Sequence, residues 1–270
     1  MSSPNNDSID KLNQTENQED KKKKGVSFLP FFLAFDFVAL VLIVLILSGA
    51  FSSKEEEIYE IRYEQVTIME QPDFMVSVQT LIEEETIRAN QERFEESVFL
   101  GDSLTEGLGI YGYVKTGNVV AERGLNIENA TKRVKKIVKK NPSYVFIMLG
   151  INDLNNSAYS MDDIEDNYCK LIEKLHGKLP ETKIYVQSLL PVTAKFEKDN
   201  KALSNKRIDK LNKRLKKISE SYDYTVYVDV HSRYVNKKGC LPAKISSDGY
   251  HLTIEAYQKW MDYVKNEMSK

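Results

Sequence analysis

From Ser97 to the end of the chain, short apolar runs alternate with segments that have the spacing of amphipathic helices. The apolar runs cover residues 98–100, 119–121, 144–149, 184–190 and 225–230, and the helical segments cover 129–140, 161–176, 202–221 and 253–268. A strand that is apolar throughout is typical of a parallel sheet with helices on both faces. Residues 97–270 are therefore predicted to form an α/β domain with a five-stranded parallel sheet.

The longest apolar segment of the chain lies well before this domain. Residues 26–51 contain 18 Leu, Ile, Val or Phe residues among 26 positions, and Asp36 is their only charged residue. At about 1.5 Å per residue a helix over this segment reaches about 39 Å, more than the roughly 30 Å of a hydrocarbon core. The segment predicts one transmembrane helix in which Asp36 is tolerated or pairs with another helix.

The charges on either side of this segment predict its orientation. Lys21–Lys24 precede it and Glu55–Glu57 follow it. Because positively charged flanks stay in the cytoplasm, we expect the N-terminus inside the cell and the last domain outside, anchored in the cell membrane. The alternative is a cleaved signal peptide, since Ser48–Ala50 resembles a small-residue cleavage site; the length of the apolar segment favours the uncleaved anchor.

Two polar segments flank the predicted span. Residues 1–25 are polar and end in lysines, so we expect a disordered cytoplasmic tail. In the second segment, residues 52–96, the part from Glu55 to Glu96 carries 13 Asp or Glu against three Arg and no Lys. Part of this segment, 80–94, could be helical but lacks a wide apolar stripe. We predict an acidic stalk that an anionic surface would repel, which suits a spacer between membrane and domain.

The composition narrows the classes of partner. A formal net charge of −2 lacks the basic excess of a nucleic-acid-binding protein, so no nucleic-acid partner is predicted. Two cysteines, Cys169 and Cys240, are too few for a four-cysteine zinc site or a disulfide scaffold. Whether they form one disulfide or remain separate thiols stays open. No metal and no cofactor are predicted.

Ligands of parallel α/β sheets bind beyond the carboxyl ends of the strands, so the loops after the apolar runs carry the candidate site. Ser103 follows the first run, on a turn that would expose its hydroxyl as a nucleophile; Asp102 or Ser103 could instead cap a helix there. Asn152 follows the third run and could donate a hydrogen bond to an oxyanion, although Asn-Asp also forms ordinary turns.

A serine nucleophile needs a base, and the chain has only three histidines. His251 opens the last helical segment, and Asp248, three residues earlier, can accept a hydrogen bond from its imidazole. His176 ends a helix, where a cation interacts favourably with the helix dipole. His231 follows the fifth apolar run and is the remaining alternative. We predict His251 as the base.

Four short motifs, here called blocks, follow one another along the chain: Gly101-Asp102-Ser103-Leu104, Gly124, Gly150-x-Asn152-Asp153 and Asp248-x-x-His251. In residues and in order, these blocks resemble those of the SGNH (GDSL-type) hydrolases. The resemblance covers residues 97–270. It implies a flavodoxin-like three-layer α/β/α sandwich and a carboxylic ester hydrolase. It also implies Ser103 as nucleophile, His251 as general base and Asp248 as the carboxylate that orients it.

The resemblance further implies an oxyanion hole made by the Ser103 amide, a glycine amide of the second block and the Asn152 side chain. Many members have a further glycine where this chain has Ile127. This variant is similar to the extracytoplasmic SGNH domains of peptidoglycan O-acetyltransferases, which keep only the earlier glycine. We assign the role to Gly124, with the amides of Asn126 and Ile127 as alternatives.

The expected substrate is a small acyl ester, acetyl above all, of a surface or cell-wall carbohydrate. No long apolar insertion lies between the blocks to hold a fatty chain. An O-acyltransferase using the same acyl-enzyme remains open, whereas a non-catalytic wall-binding module would have no need of the four site residues. Six Lys or Arg in segment 129–140 could attract an anionic polymer, but a solvated helix face is the simpler interpretation.

Overall fold

The structure, a computed structural model, describes residues 72–269. Its sheet is built from β1 (Ser97–Gly101), β2 (Val119–Ala121), β3 (Tyr144–Met148), β4 (Lys183–Gln187) and β5 (Thr225–Val228). All neighbouring strands are parallel, in the order β2-β1-β3-β4-β5. The predicted five-stranded parallel α/β fold is confirmed.

Eight α-helices lie within the described residues. They are α1 (Pro72–Arg93), α2 (Ser103–Ile110), α3 (Ile127–Val138), α4 (Ile151–Asn155), α5 (Met161–His176), α6 (Ala194–Asp199), α7 (Asn205–Glu220) and α8 (Ile254–Met268). Hydrophobic periodicity does not reveal α2, although the turn at Ser103 is expected to lead into a helix, because two glycines lower its helix propensity and four of its eight residues are buried rather than forming a stripe.

The helices form a layer on each face of the sheet. The connection from β1 to β2 runs toward one edge of the sheet, whereas the connections that follow, from β2 to β3, β4 and β5, run toward the other edge. Because such connections are right-handed, the three helices of the second set, α3, α5 and α7, lie together on one face. On the other face α8 packs against α2, where the Tyr257 hydroxyl donates to the Leu104 carbonyl over 2.9 Å.

Aromatic rings fill the core beside the central strands. The rings of Phe99 and Phe146 stack with centroids 4.6 Å apart, and Tyr185 stacks on Phe146 at 4.7 Å. Phe94, which lies in the segment predicted as a stalk, meets Phe99 edge-on at 5.2 Å and is fully buried. The packed unit therefore includes residues before Ser97.

The predicted cytoplasmic tail, the span 26–51 and the first part of the stalk lie outside the described residues. Within 72–269, no helix combines the length and the apolar character that crossing a membrane requires. Cys169 is half-buried and Cys240 is buried, and both are free thiols. Of the two alternatives for these cysteines, the structure has the separate thiols.

The strand order also places the candidate site. In the sheet β1 lies between β2 and β3, and the connections after β1 and after β2 run in opposite directions across the sheet. The carboxyl ends of β1 and β3 therefore form a topological switch point. The loops after β1, β2 and β3 open at this crevice, so residues 102–103, 122–126 and 150–153 come together there.

Candidate active site

Ser103 lies where β1 turns sharply into α2. Asp102 caps the helix, its Oδ1 accepting the Leu104 N–H over 3.1 Å. Residue 101 must be glycine, because a Cβ there would lie 1.9 Å from Thr105 Oγ1 and 2.8 Å from the Met148 carbonyl oxygen. As the first residue of α2, Ser103 has an N–H without an intrahelical partner, free to point toward a developing oxyanion.

The last loop brings His251 to this serine. Nε2 of His251 lies 2.9 Å from Ser103 Oγ, and Nδ1 lies 2.5 Å from Asp248 Oδ2. With Nδ1–H donating to the carboxylate, Nε2 is left to accept the serine hydroxyl. This is the geometry in which an imidazole removes the hydroxyl proton as the serine attacks.

Asp248 is held by the loop that it shares with His251. Its Oδ1 accepts the backbone N–H groups of Tyr250 over 3.1 Å and His251 over 2.9 Å. Partial burial alone would raise the pKa of Asp248, but the hydrogen bonds from the side chain and backbone of His251 and from Tyr250 lower it below its ordinary value. Asp248 is therefore a carboxylate at neutral pH, as an orienting partner must be.

The other two histidines do not reach Ser103. Nδ1 of His231 lies 2.9 Å from the Leu189 carbonyl oxygen, and its Nε2 lies 3.2 Å from Asp209. The ring of His176 stacks on Tyr224 with centroids 3.6 Å apart. Both are held by contacts elsewhere, so His251 is the histidine that the fold brings to the nucleophile.

Asn152 stands across the crevice from Ser103 on α4. Its Nδ2 lies 3.1 Å from the Leu125 carbonyl oxygen and 3.3 Å from Asp102 Oδ2. These two acceptors orient the side-chain amide between the first and second blocks. Both of its hydrogens have acceptors here, so donation to a tetrahedral oxyanion formed on Ser103 would replace one of these bonds, the longer one being that to Asp102.

The second block separates the alternatives for the third oxyanion donor. The Ile127 N–H donates to both carboxylate oxygens of Asp153, over 3.2 and 3.3 Å, so it is already bound. Gly124 has φ +76° in an exposed turn closed by the Leu125 N–H on the Glu122 carbonyl. A positive φ suits glycine, and an exposed amide is open to a ligand, so Gly124 stays the predicted donor.

The sequence model of the GDSL-like lipase/acylhydrolase family matches residues 99–259. The chain belongs to this family. It is accordingly a carboxylic ester hydrolase, and the matched residues include all the loops that meet at the crevice.

Several solved structures share the fold of this GDSL-like hydrolase. A GDSL-like lipase from Bacteroides thetaiotaomicron is 21% identical with a TM-score of 0.56, covering 67% of this chain and 98% of that one. A mutant of an acetyl-xylooligosaccharide esterase from Geobacillus is 19% identical with a TM-score of 0.51, covering 64% and 94% of the two chains. These likenesses show a shared fold.

Curated relatives include the N-acylneuraminate cytidylyltransferase of Streptococcus agalactiae. It is 26% identical over 180 residues, which cover 64% of this chain and 40% of the relative. The GDSL-like hydrolase therefore spans about two fifths of the length of the curated relatives that it matches.

Two buried carboxyl groups support the site, and sequence reasoning did not give either a role in it. Asp102 is 1% exposed and Asp153 is fully buried. Burial raises the pKa of Asp102 to about 7, with the Leu104 N–H opposing the shift and the charge of Asp153 adding to it. Burial likewise raises the pKa of Asp153 to about 6 against the hydrogen bond from Ile127. The one sequence signal for them was position, since Asp102 directly precedes Ser103 and Asp153 directly follows Asn152.

Tyr250 is a further residue of the GDSL-like site that the sequence did not single out. Its ring lies 3.9 Å from that of His251, centroid to centroid. Burial and the charges of Asp248 and Asp102 raise the pKa of its phenol, while Arg123 and the Ser103 hydroxyl act in the opposite direction. Its position between Asp248 and His251 in the last block was the one sequence signal.

Proposed function

We propose that this chain is a serine esterase that removes small acyl groups, acetyl above all, from surface or cell-wall carbohydrate. The observation that carries the proposal is a pair of contacts made by His251. Its Nε2 lies 2.9 Å from Ser103 Oγ, and its Nδ1 lies 2.5 Å from Asp248 Oδ2. Family membership supplies the reaction class, and this line of side chains supplies its nucleophile and base.

Acylation begins when Ser103 Oγ attacks the ester carbonyl carbon and its proton passes to His251 Nε2. Asp248 stabilises the imidazolium and keeps the ring in place. The negative charge on the former carbonyl oxygen is met by the N–H of Ser103, the side-chain amide of Asn152 and the Gly124 amide. When the tetrahedral intermediate collapses, His251 returns the proton to the departing sugar hydroxyl, and the acyl group stays on Ser103.

Deacylation repeats these steps with water as the nucleophile. His251 takes a proton from the water as it attacks the acyl carbon, and Ser103 leaves with that proton. The released acid and the regenerated serine complete the cycle. A sugar hydroxyl in place of water would give O-acyl transfer through the same acyl-enzyme.

The cavity beside the nucleophile supports a small acyl group. It encloses about 10 Å³, the space of roughly one water molecule or a methyl group. Its wall includes Asp102 and Leu104, which flank Ser103, and Tyr250. The remaining wall is apolar: Met148, Ile151, Leu189, Leu190, Pro191 and Val192. A methyl group fits such a space, whereas a longer chain would have to displace buried side chains.

Two of the similar proteins support a carbohydrate as the acyl carrier, whereas the neighbour from Bacteroides thetaiotaomicron is named a lipase. The esterase from Geobacillus that shares this fold acts on acetylated xylooligosaccharides, and the curated relative from Streptococcus agalactiae acts on N-acylneuraminate. The first name joins the acetyl group to a sugar, and the second names an acidic sugar. Both agree with a sugar ester and neither with a long-chain lipid.

We propose a location at the outer face of the cell membrane, on the evidence of the sequence alone. Residues 26–51 would anchor the chain, with residues 1–25 in the cytoplasm and the hydrolase domain outside. Protease added to intact cells should then remove the domain and spare the first residues. Recovery of the domain from the medium with a new N-terminus near Phe51 would identify a cleaved signal peptide instead.

Hydrolysis of p-nitrophenyl acetate by the purified full-length protein in detergent micelles tests the reaction. We expect release of p-nitrophenol and acetate in equal amounts, and loss of both in Ser103→Ala. The same assay with an oligosaccharide acceptor measures transfer, because an acetylated acceptor would form at the expense of free acetate. Hydrolysis that persists in Ser103→Ala would refute the proposed nucleophile.

A further inference from the structure

An open groove of about 390 Å³ lies along the second block. One wall is the turn at Glu122–Leu125, and the other is the first half of α3. The α3 side chains that line it are Asn129, Lys132 and Arg133. Three cationic side chains, those of Arg123, Lys132 and Arg133, thus face one carboxylate, Glu122.

The groove adjoins the catalytic crevice through the backbone of the same turn. The Glu122 N–H donates to the Gly101 carbonyl over 3.3 Å, two residues before the nucleophile. At the other end of the turn, the Leu125 carbonyl accepts Nδ2 of Asn152 over 3.1 Å. The groove therefore begins beside the predicted oxyanion donor Gly124, within reach of a substituent on a substrate whose ester lies at Ser103.

The cations of the groove are not equally available. Arg133 forms an ion pair with Glu122 across the groove. Lys132 donates to Asn129 over 2.8 Å and lies 3.9 Å from Glu128. Arg123 is exposed, and among residues 80–269 no carboxylate lies within 4.0 Å of its guanidinium. Of the three cations that line the groove, Arg123, next to Gly124, is the one for which these residues supply no acidic partner.

Arg123 also lies near the catalytic loop. Burial raises the pKa of the Tyr250 phenol, and the positive charge of Arg123 is one of the two influences that oppose this shift. The other is Ser103 itself. The charge of Arg123, which lines the groove, therefore acts on the ring beside His251 as well.

We infer that Arg123 binds an anionic group, carboxylate or phosphate, carried by the sugar whose ester is cleaved. The inference rests on the proposed function and names the substrate class: an acylated acidic carbohydrate rather than a neutral one. A guanidinium presents two parallel N–H groups that match two oxygens of such an anion. Glu122, held by Arg133, does not compete for Arg123.

Matched aryl acetates test the inference. 4-Acetoxybenzoate and 4-acetoxybenzamide differ in the charge of one substituent, and their kcat/KM ratio measures the preference of the full-length protein for the acid. We expect Arg123→Gln to lower this preference about fivefold, chiefly through KM, because an exposed charge pair is lost. Arg123→Lys should retain part of the preference, since the charge remains but the paired donors do not.

The matched control is Lys136→Gln, which removes an exposed charge from α3 outside the groove. It should leave the preference and both kcat/KM values as in the wild type. If Lys136→Gln lowered the preference as much as Arg123→Gln, the effect would come from the summed positive charge of this part of the surface, and the inference would be overturned. An unaltered preference in Arg123→Gln would overturn it as well. A third ester, 4-acetoxyphenyl phosphate, distinguishes a phosphate-bearing carrier by a larger preference than that for the carboxylate.

Binding separates this inference from the proposed function. Titration of 4-acetoxybenzoate into Ser103→Ala protein, followed by NMR of the ligand, should show binding that is lost in the double variant with Arg123→Gln. Hydrolysis of neither ester by the wild type, with this binding intact, would refute the esterase proposal and leave the anion site standing. Equal binding by both variants would refute the anion site.

Discussion

Nδ2 of Asn152 lies 3.3 Å from Oδ2 of Asp102, the buried residue that precedes the nucleophile. The same carboxyl group caps α2 through the Leu104 N–H. One side chain thus sets both the start of the nucleophile helix and the direction of the Asn152 amide. Because this carboxyl group is buried, the arrangement makes the stability of the fold depend on pH.

Asp102→Asn should change how stability depends on pH. Burial raises the folded pKa of Asp102 from 3.8 to about 7, so the folded state holds this proton more tightly than the unfolded chain. Its stabilising contribution is full below about pH 4 and is lost as pH rises toward 7, a change of at most about 4 kcal/mol. In urea unfolding experiments between pH 4 and 8, the unfolding free energy of the variant minus that of the wild type should increase as the pH rises.

The control for this prediction is Asp223→Asn, which neutralises an exposed carboxylate. It should show no such gain. Asp102→Asn should also lose about tenfold in kcat, because a side-chain amide at residue 102 turns a donor toward Asn152 where the carboxylate offered an acceptor. A constant difference in unfolding free energy between wild type and variant across the pH range would contradict the prediction.

Ser103→Ala should lower kcat at least about a thousandfold, since the acyl-enzyme can no longer form. The fold should be kept, because Asp102 rather than Ser103 caps α2. A fluorophosphonate probe should label Ser103 in the wild type, and peptide mass spectrometry locates the label. Labelling at another serine would disprove the assignment.

The three residues of the last loops can be ranked by substitution. His251→Gln should abolish turnover, and Asp248→Asn should cost less because the base survives with a poorer orientation. His231→Gln is the matched control and should alter activity little, since its ring contacts Leu189 and Asp209. An inactive His231→Gln beside an active His251→Gln would overturn the ranking.

Leu190→Ala should widen the cavity beside Ser103 and admit longer acyl groups. The ratio of kcat/KM for p-nitrophenyl propionate to that for the acetate should rise about tenfold, because its one added methylene gains roughly 1–3 kcal/mol when it has room. Leu175→Ala removes an equally buried leucine from α5, away from the cavity, and controls for loss of stability. An unchanged ratio would show that this cavity does not hold the acyl chain.

Much of the fold was predictable because its signals are local. Each strand is a short run of apolar residues, and the helices α3, α5, α7 and α8 each bury one face, so periodicity revealed them. Where burial is not one-sided, this signal failed, as it did for α2. The packing of Phe94 against Phe99 was equally hidden, because the polar residues around Phe94 carry no sign that its ring enters the core.

The sequence by itself predicted the residues that we propose carry the chemistry: Ser103 and Asn152 follow apolar runs, Asp248 and His251 precede the last helix, and the four stand in the order of a known family. Only the tertiary structure decided how they act together. It brought His251 to Ser103 across 148 residues, bound the Ile127 amide to Asp153 and placed Arg123 beside Gly124 with no carboxylate of residues 80–269 in ion-pair distance. The physical reason is that hydrogen bonds and ion pairs depend on distance and direction between loops, which the parallel sheet sets and the order of residues along the chain does not state.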